Sequence, residues 1–259
     1  MQEHREQFLV IVTIADSGER TQVNKLLECA GVETGTVEKV LYGDDDIVRM
    51  KRKHIANFHT YCMEEYYENA ESADDIEKFW DARSVFYQMF SKLNPTRIIE
   101  LACGHGRHVL QYMRQAEQIV LVDIVDKNIE FCKKRFQSKE NIEYYVNNGQ
   151  DLEKLETGAY TALFTYDAMV HFEMIDVFSY FLKETRRVLE TGGRALFHHS
   201  NNTEDYRIDF STGKSGRNYM SRELFAYLAH RAGLEVLEQQ TIDWSGVKDL
   251  DCITLVEKR

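Results

Sequence analysis

Three groups of residues in this sequence have types and spacings that could do chemistry. The first is Ala102-Cys103-Gly104-His105-Gly106, a small-residue turn between an apolar run (Ile98, Ile99, Leu101) and a helical pattern (Val109, Leu110, Met113). Glycines let the backbone pass close to a ligand at φ values other residues avoid. The helix start beyond them offers unpaired N–H groups, so the turn suits something small and polar. The second group is Asp167 and His171 in FTYDAMVHF, a spacing that puts both on one face of a helical turn. A histidine that titrates near neutrality can take a proton from an attacking hydroxyl. The third is Arg194–Asn202, RALFHHSNN, where an apolar run ends in two histidines, a serine and an asparagine. Strand residues alternate faces, so His198 and His199 point opposite ways, and one can be buried while the other reaches a pocket. Polar groups at a strand end are costly unless bonded, which favours a pocket there. His171, His198 and His199 are therefore the candidate bases. The plainer alternative for each is a structural histidine packed against a sheet.

Parallel strands are needed to bring these groups together. Apolar runs near 97–102, 119–124, 142–146, 161–166, 193–199, 234–241 and 251–257 alternate with helical patterns near 106–115, 126–136, 174–190 and 221–232. That alternation predicts an α/β fold, a Rossmann-like seven-stranded, mostly parallel sheet with helices on both faces. Ligands bind such sheets at the carboxyl ends of the strands, where all three groups lie. Gly192-Gly193 reads as a helix C-cap and Ser221 as an N-cap. Asp123 ends the second strand at about the distance, roughly 20 residues, that separates a nucleotide-binding turn from the carboxylate taking ribose hydroxyls.

Glu100-x-Ala102-Cys103-Gly104-x-Gly106, followed by the acidic strand end at Asp123, resembles motif I and the next strand of class I S-adenosylmethionine-dependent methyltransferases. The resemblance covers about Asn94 to Glu257 and departs at Ala102, where many members carry glycine. A dinucleotide fingerprint wants a third glycine and position 109 is Val, which argues against an NAD- or FAD-dependent oxidoreductase. The resemblance implies S-adenosyl-L-methionine as cofactor, with Glu100, Ala102, Gly104 and Gly106 at its methionine part, Asp123 on the ribose and Ile124 on adenine. It also implies Asn148, Gly149 and Gln150 around the adenine amino group, and Tyr166 and Asp167 beside the transferring methyl. An Asn-Gly turn accounts for Asn148 equally well. The sequence D-x-M-V-H with the HHSN strand end resembles a broad subgroup of small-molecule methyltransferases, including enzymes of glycan and natural-product assembly. The expected reaction is methylation of a hydroxyl on a small, sugar-containing or natural-product-like acceptor. The alternatives are N-methylation of a small amine, or a catalytically inactive module that binds cofactor or a partner.

The 259 residues allow an extension, 1–93, ahead of a catalytic domain, 94–259, with the single proline, Pro95, at its start. The extension reads as a strand at 7–14, a helix at 20–29, a short apolar piece at 37–42, and aromatic-rich helices at 47–69 and 73–93. In this family such a region often forms a lid, so Tyr66, Trp80 and Arg83 are candidate substrate contacts, with Asn201 and Arg217 from the polar stretch that follows the HHSN end. Arg217 would meet a carboxylate or phosphate on the acceptor. A net charge of −11 without a basic block disfavours nucleic acid and anionic membranes as partners. No signal peptide or transmembrane stretch is read, and the five scattered cysteines contain no C-x-x-C, which fits a reducing cytoplasm. No metal-ligand spacing is present, and no metal is expected. The oligomeric state stays open, a homodimer included.

Overall fold

The structure is a computed structural model that describes residues 73–172, 175–202 and 217–259, all within one compact unit. The expected elements before residue 70, and Tyr66, lie outside the described residues. The chain runs α1 (Ala73–Trp80), α2 (Val85–Phe90), β1 (Arg97–Leu101), α3 (Val109–Tyr112), β2 (Gln118–Asp123), α4 (Asp126–Arg135), β3 (Ile142–Val146), β4 (Tyr160–Thr165), α5 (Ile175–Val188), β5 (Leu189–Ser200), α6 (Arg222–Arg231), β6 (Leu234–Trp244) and β7 (Val247–Lys258).

The strands form one seven-stranded sheet in the order β3-β2-β1-β4-β5-β7-β6. β1 to β5 are parallel, and β7 pairs antiparallel with both β5 and β6. The central strands are apolar on both faces because both are covered: every residue of β4 is buried. The order reverses between β1 and β4, so their carboxyl ends splay and leave the crevice where such folds bind ligands. β6 and β7 are joined by Ser245-Gly246, both at positive φ, the backbone that a two-residue hairpin requires.

Three expectations change. The single helix expected over 73–93 is two, because Ser84 starts a new one: its Oγ accepts from Tyr87 N and donates to Phe79 O at 2.5 Å. The helix expected from 106 begins only at Val109, since Gly104 and Gly106 sit at φ 53° and 71°. Gly192-Gly193 does not cap a helix. α5 ends at Val188, and both glycines lie inside β5, beside the register shift between β4 and β5. Ser221 does cap α6, accepting from Leu224 N.

Nor does the boundary expected at residue 94 mark a break in packing. Phe86, Met89, Phe90 and Leu93 share one core with Ile98, Tyr112, Phe164 and Leu196. Phe90 meets Phe164 edge-on at 5.2 Å, and Trp80 meets Phe90 at 4.7 Å. Such aromatic pairs contribute about 0.5–1.5 kcal/mol each beyond the area they bury.

Candidate active site

The glycine turn is built by backbone constraint. Ala102, at φ 58°, occupies a left-handed position that disfavours any Cβ, which explains why glycine is the commoner residue there. Gly106 has a second constraint: a Cβ would lie 2.7 Å from Phe136 Cε2 and 3.3 Å from Cys132 Sγ. Gly104 N donates to Asp123 Oδ2 at 2.9 Å, so the acidic end of β2 holds the turn against it.

Asp123 is buried. Its Oδ1 accepts from Val125 N at 2.9 Å and Asn128 Nδ2 at 3.2 Å. Burial pushes its carboxyl above the usual range, against the pull of those N–H donors. It lines a cavity with Ala102, Ile124, Asn147, Gly149 and Phe172. A carboxylate has about four acceptor positions. Ile124 N is a further donor to the carboxylate, so a ribose hydroxyl would share an oxygen with an N–H or displace one. Ile124 and Phe172 supply apolar walls beside it. An acceptor carboxylate beside apolar walls is compatible with the ribose and adenine of the cofactor implied by the resemblance.

Asn148 is corrected. Its Oδ1 accepts from Gln150 N and Asp151 N, and its Nδ2 donates to Asp151 Oδ2, so the side chain closes its own turn. Strand alternation buries Asn147 instead, and Asn147, not Asn148 or Gln150, lines the cavity with Gly149.

Glu100 points into the core and accepts from Tyr112 Oη at 2.7 Å. Burial lifts its carboxyl to about 8, so it stays largely protonated at neutral pH. That makes it a turn-supporting group rather than a standing anion.

The carboxyl ends of β4 and β5 carry a closed ring of hydrogen bonds. Asp167 N donates to His198 Nδ1 at 3.0 Å. His198 Nδ1 is thus an acceptor, and Nε2–H donates to Asp251 Oδ2 at 3.1 Å. Asp251 accepts Arg217 Nε at 3.1 Å and Nη2 at 3.0 Å, and Nη2 returns to Asp167 Oδ1 at 3.3 Å. Burial raises the Asp251 carboxyl, and His198 and Arg217 more than reverse this, leaving it below its ordinary value. Tyr166 stacks on His198 at 4.4 Å, and Phe79 and Trp244 stand 4.8 and 6.4 Å from Tyr166 between ring centres. Arg217 also lies 4.9 Å over the Trp244 ring. An aromatic wall therefore meets a charged edge beside the glycine turn.

The three histidines separate. His199 faces the other side of the sheet, donating from Nδ1 to Ser200 O at 2.7 Å, accepting from Thr254 Oγ1 at Nε2, and stacking on Phe225 at 4.0 Å. Burial holds it down at about 3. It is a structural histidine, which corrects its expected role. His198 is on the site side, but both ring nitrogens are committed within the ring of bonds, so it positions rather than takes a proton. His171, exposed on a 3-10 turn over Met169–His171, lies with Nε2 3.5 Å from Arg217 Nη1.

Four expected substrate contacts are engaged with the protein itself. Trp80 Nε1 donates to His108 Nδ1 at 3.1 Å and its ring packs into the core. Arg83 is a surface residue whose guanidinium forks onto Asp81. Asn201 bonds Asp249 O and Arg222 N, tying the end of β5 to β7 and α6. Arg217 is buried and spent on Asp251 and Asp167. Sequence reasoning missed Asn147, Asp251, Phe79, Trp244 and Arg107. Asp251 had one available signal: antiparallel pairing of β7 with β5 places it opposite Ser200.

Residues 99–197 match the family model described as a methyltransferase domain. That match, the strand order and the glycine turn held by Asp123 agree with the Rossmann-like fold of S-adenosylmethionine-dependent methyltransferases. Among curated proteins it resembles methyltransferase nsrG of Aspergillus novofumigatus, 24% identical over 117 residues, 44% of this chain and 45% of that one. The match thus spans less than half of the relative's length. Among solved structures, a TehB-like S-adenosylmethionine-dependent methyltransferase from Corynebacterium glutamicum superposes with a TM-score of 0.56 at 17% identity, covering 78% of this chain and 98% of that one. The N-methyltransferase NodS from Bradyrhizobium japonicum superposes at 0.52 and 11% identity, covering 66% and 89%. Among the described residues no helix is long and apolar enough to cross a membrane, and no three His, Cys, Asp or Glu side chains gather as metal ligands.

Proposed function

We propose that this chain transfers a methyl group from S-adenosylmethionine to a hydroxyl of a small organic acceptor. The carrying observation is the position of His171. It is exposed at the carboxyl end of β4, and its Nε2 is met by Arg217 Nη1 only at 3.5 Å, a long contact that an acceptor hydroxyl can displace, unlike the 3.0 and 3.1 Å bonds that hold His198. A neutral imidazole placed there can take the proton of an attacking hydroxyl. The aromatic wall of Phe79, Tyr166 and Trp244 supports a small organic acceptor over an extended polymer.

The cofactor, when bound, supplies a methyl group already activated on a sulfonium. The chain's part is placement. Asp123 and the Gly104–Gly106 turn hold the donor's nucleoside and chain, Tyr166 and Asp167 border the acceptor side, and the ring through His198 and Asp251 fixes that border. His171 takes the proton at Nε2 once the acceptor hydroxyl has displaced the long contact to Arg217.

The test is mass spectrometry of products from hydroxylated and amino acceptors incubated with S-adenosylmethionine, comparing wild type with His171→Gln. Methylated hydroxyls are expected, with turnover of the variant down about 100-fold or more and donor affinity unchanged. Methylation confined to amines, or wild-type turnover in H171Q, would refute the reading.

A further inference from the structure

Two arginines flank Asp167, and they are not equivalent. Arg217 places Nε and both terminal nitrogens on Asp251, Asp167 and His171. Arg107, the residue after Gly106, has a side chain only 12% exposed and makes no hydrogen bond among the described residues. Its nearest ion-pair approach, Nη2 to Asp167 Oδ2, is 3.9 Å, too long for a hydrogen bond. Its guanidinium carbon lies 5.7 Å from the centre of the Phe79 ring. A guanidinium has five donors in a planar fork, and here they stay within reach of solvent with no protein acceptor engaged among the described residues. The fork is therefore available to a planar anion that reaches it.

We propose that Arg107 binds the carboxylate at the amino-acid end of the methyl donor. The inference rests on the donor-binding reading above. Arg107 follows directly from the turn that Asp123 holds through Gly104, and it does not line the cavity beside Asp123 but meets Asp167 and Phe79. A carboxylate matches the guanidinium fork with two parallel bonds. Asp167 argues against a phosphate, whose two charges it would repel, and suits a zwitterion, whose ammonium it attracts. A lysine at this position would keep the charge and lose the fork.

The experiment is titration calorimetry of wild type, Arg107→Met and Arg107→Lys with three probes: S-adenosylmethionine, its decarboxylated analogue, and 5′-methylthioadenosine, which lacks the amino-acid end. Wild type is expected to prefer the carboxylate-bearing donor over the decarboxylated one by about tenfold or more, as a charge-assisted pair should. R107M should lose that preference and keep its affinity for 5′-methylthioadenosine, and R107K should fall between. A preference retained in R107M overturns the assignment while leaving the donor reading intact. If R107M does not fold, the R107K preference decides: a several-fold fall supports the assignment, and the wild-type value overturns it. Failure of wild type to bind any of the three overturns the donor reading and this inference together.

Discussion

The main-chain N–H of Asp167 donates to His198 Nδ1 at 3.0 Å, so a residue at the end of β5 fixes the backbone just past the end of β4. Asp167 needs fixing. Its φ of 53° is left-handed, a conformation costing a non-glycine residue of order 1–3 kcal/mol. His198→Ala removes both this acceptor and the donor to Asp251. The expected result is turnover reduced about tenfold or more with a nearly unchanged dissociation constant for S-adenosylmethionine, because the adenosine cavity lies elsewhere. His198→Gln, which offers an acceptor and a donor, should recover part of it. Steady-state kinetics beside calorimetry separates this from a folding defect, and equal losses in kcat and donor affinity would count against a positioning role.

Asp251 and Arg217 form the buried ion pair of the same ring, with side chains 0% and 4% exposed. Removing one partner strands the other without water. Asp251→Asn and Arg217→Met are each expected to destabilise by about 3–5 kcal/mol. The double variant should cost clearly less than the sum of the two, as read from urea midpoints in a double-mutant cycle. Additive losses would mean that the two side chains are not coupled. The pair also sets an acid limit. The Asp251 carboxyl sits below its ordinary value, so its stabilisation is present above the unfolded-state value, near 4, and is lost as pH falls through the folded one. D251N should flatten the loss of stability below about pH 4.

How far the site was legible in the sequence depended on whether backbone or side-chain partners decide the outcome. Periodicity and the glycine turn specify strands and their order well, because parallel strands covered on both faces must be apolar throughout. The same rule hid the ends of α2 and α3, where one hydroxyl at Ser84 or one positive φ at Gly106 outweighs a continuous helical pattern. Spacing placed Asp123 on the turn, since a carboxylate at a strand end has few other places to go. It could not choose among His171, His198 and His199. That depended on Asp251 and Thr254, residues more than 50 positions away that become neighbours only through antiparallel pairing with β7. Asn148 and Asn147 differ by one step of strand alternation, within the uncertainty of any strand end read from sequence.

The turn itself makes a sharp prediction at Gly106. Alanine there must adopt φ 71° and push its Cβ against Phe136 Cε2 at 2.7 Å, with Cys132 Sγ close on another side. Strain and overpacking together should destabilise the protein by about 2–4 kcal/mol. Relief requires moving α4, which carries Cys132, or the Phe136 ring that follows it, so the turn held by Asp123 should shift. Gly106→Ala is expected to lower the melting temperature and to weaken S-adenosylmethionine binding at least tenfold. Gly246→Ala is the control for positive φ alone, at 76°, because nothing lies within 4 Å of its Cβ. A G106A protein that binds donor like wild type would show that the packing, though tight, yields without disturbing the site.

Glu100 gives the pH dependence on the opposite side of neutrality. Burial raises its carboxyl from 4.5 to about 8, with the bond from Tyr112 Oη opposing. The folded state therefore holds a proton that the unfolded chain releases above about pH 4.5. The native state binds more protons over that window, so this group's contribution is full below about 4.5 and is lost as pH rises toward 8. At pH 7 the loss amounts to about 3 kcal/mol relative to acid conditions, from the 1.36 kcal/mol that each unit represents. Glu100→Gln keeps the shape and the acceptor for Tyr112 and carries no proton to lose. It should be more stable than wild type at pH 8, by a margin that shrinks to near zero at pH 5. Thermal or urea unfolding of both proteins at pH 5, 6.5 and 8 measures the difference. A margin that grows toward low pH would mean that Glu100 is ionised in the folded protein and that Arg107 and Arg135, the cations acting on it, outweigh its burial.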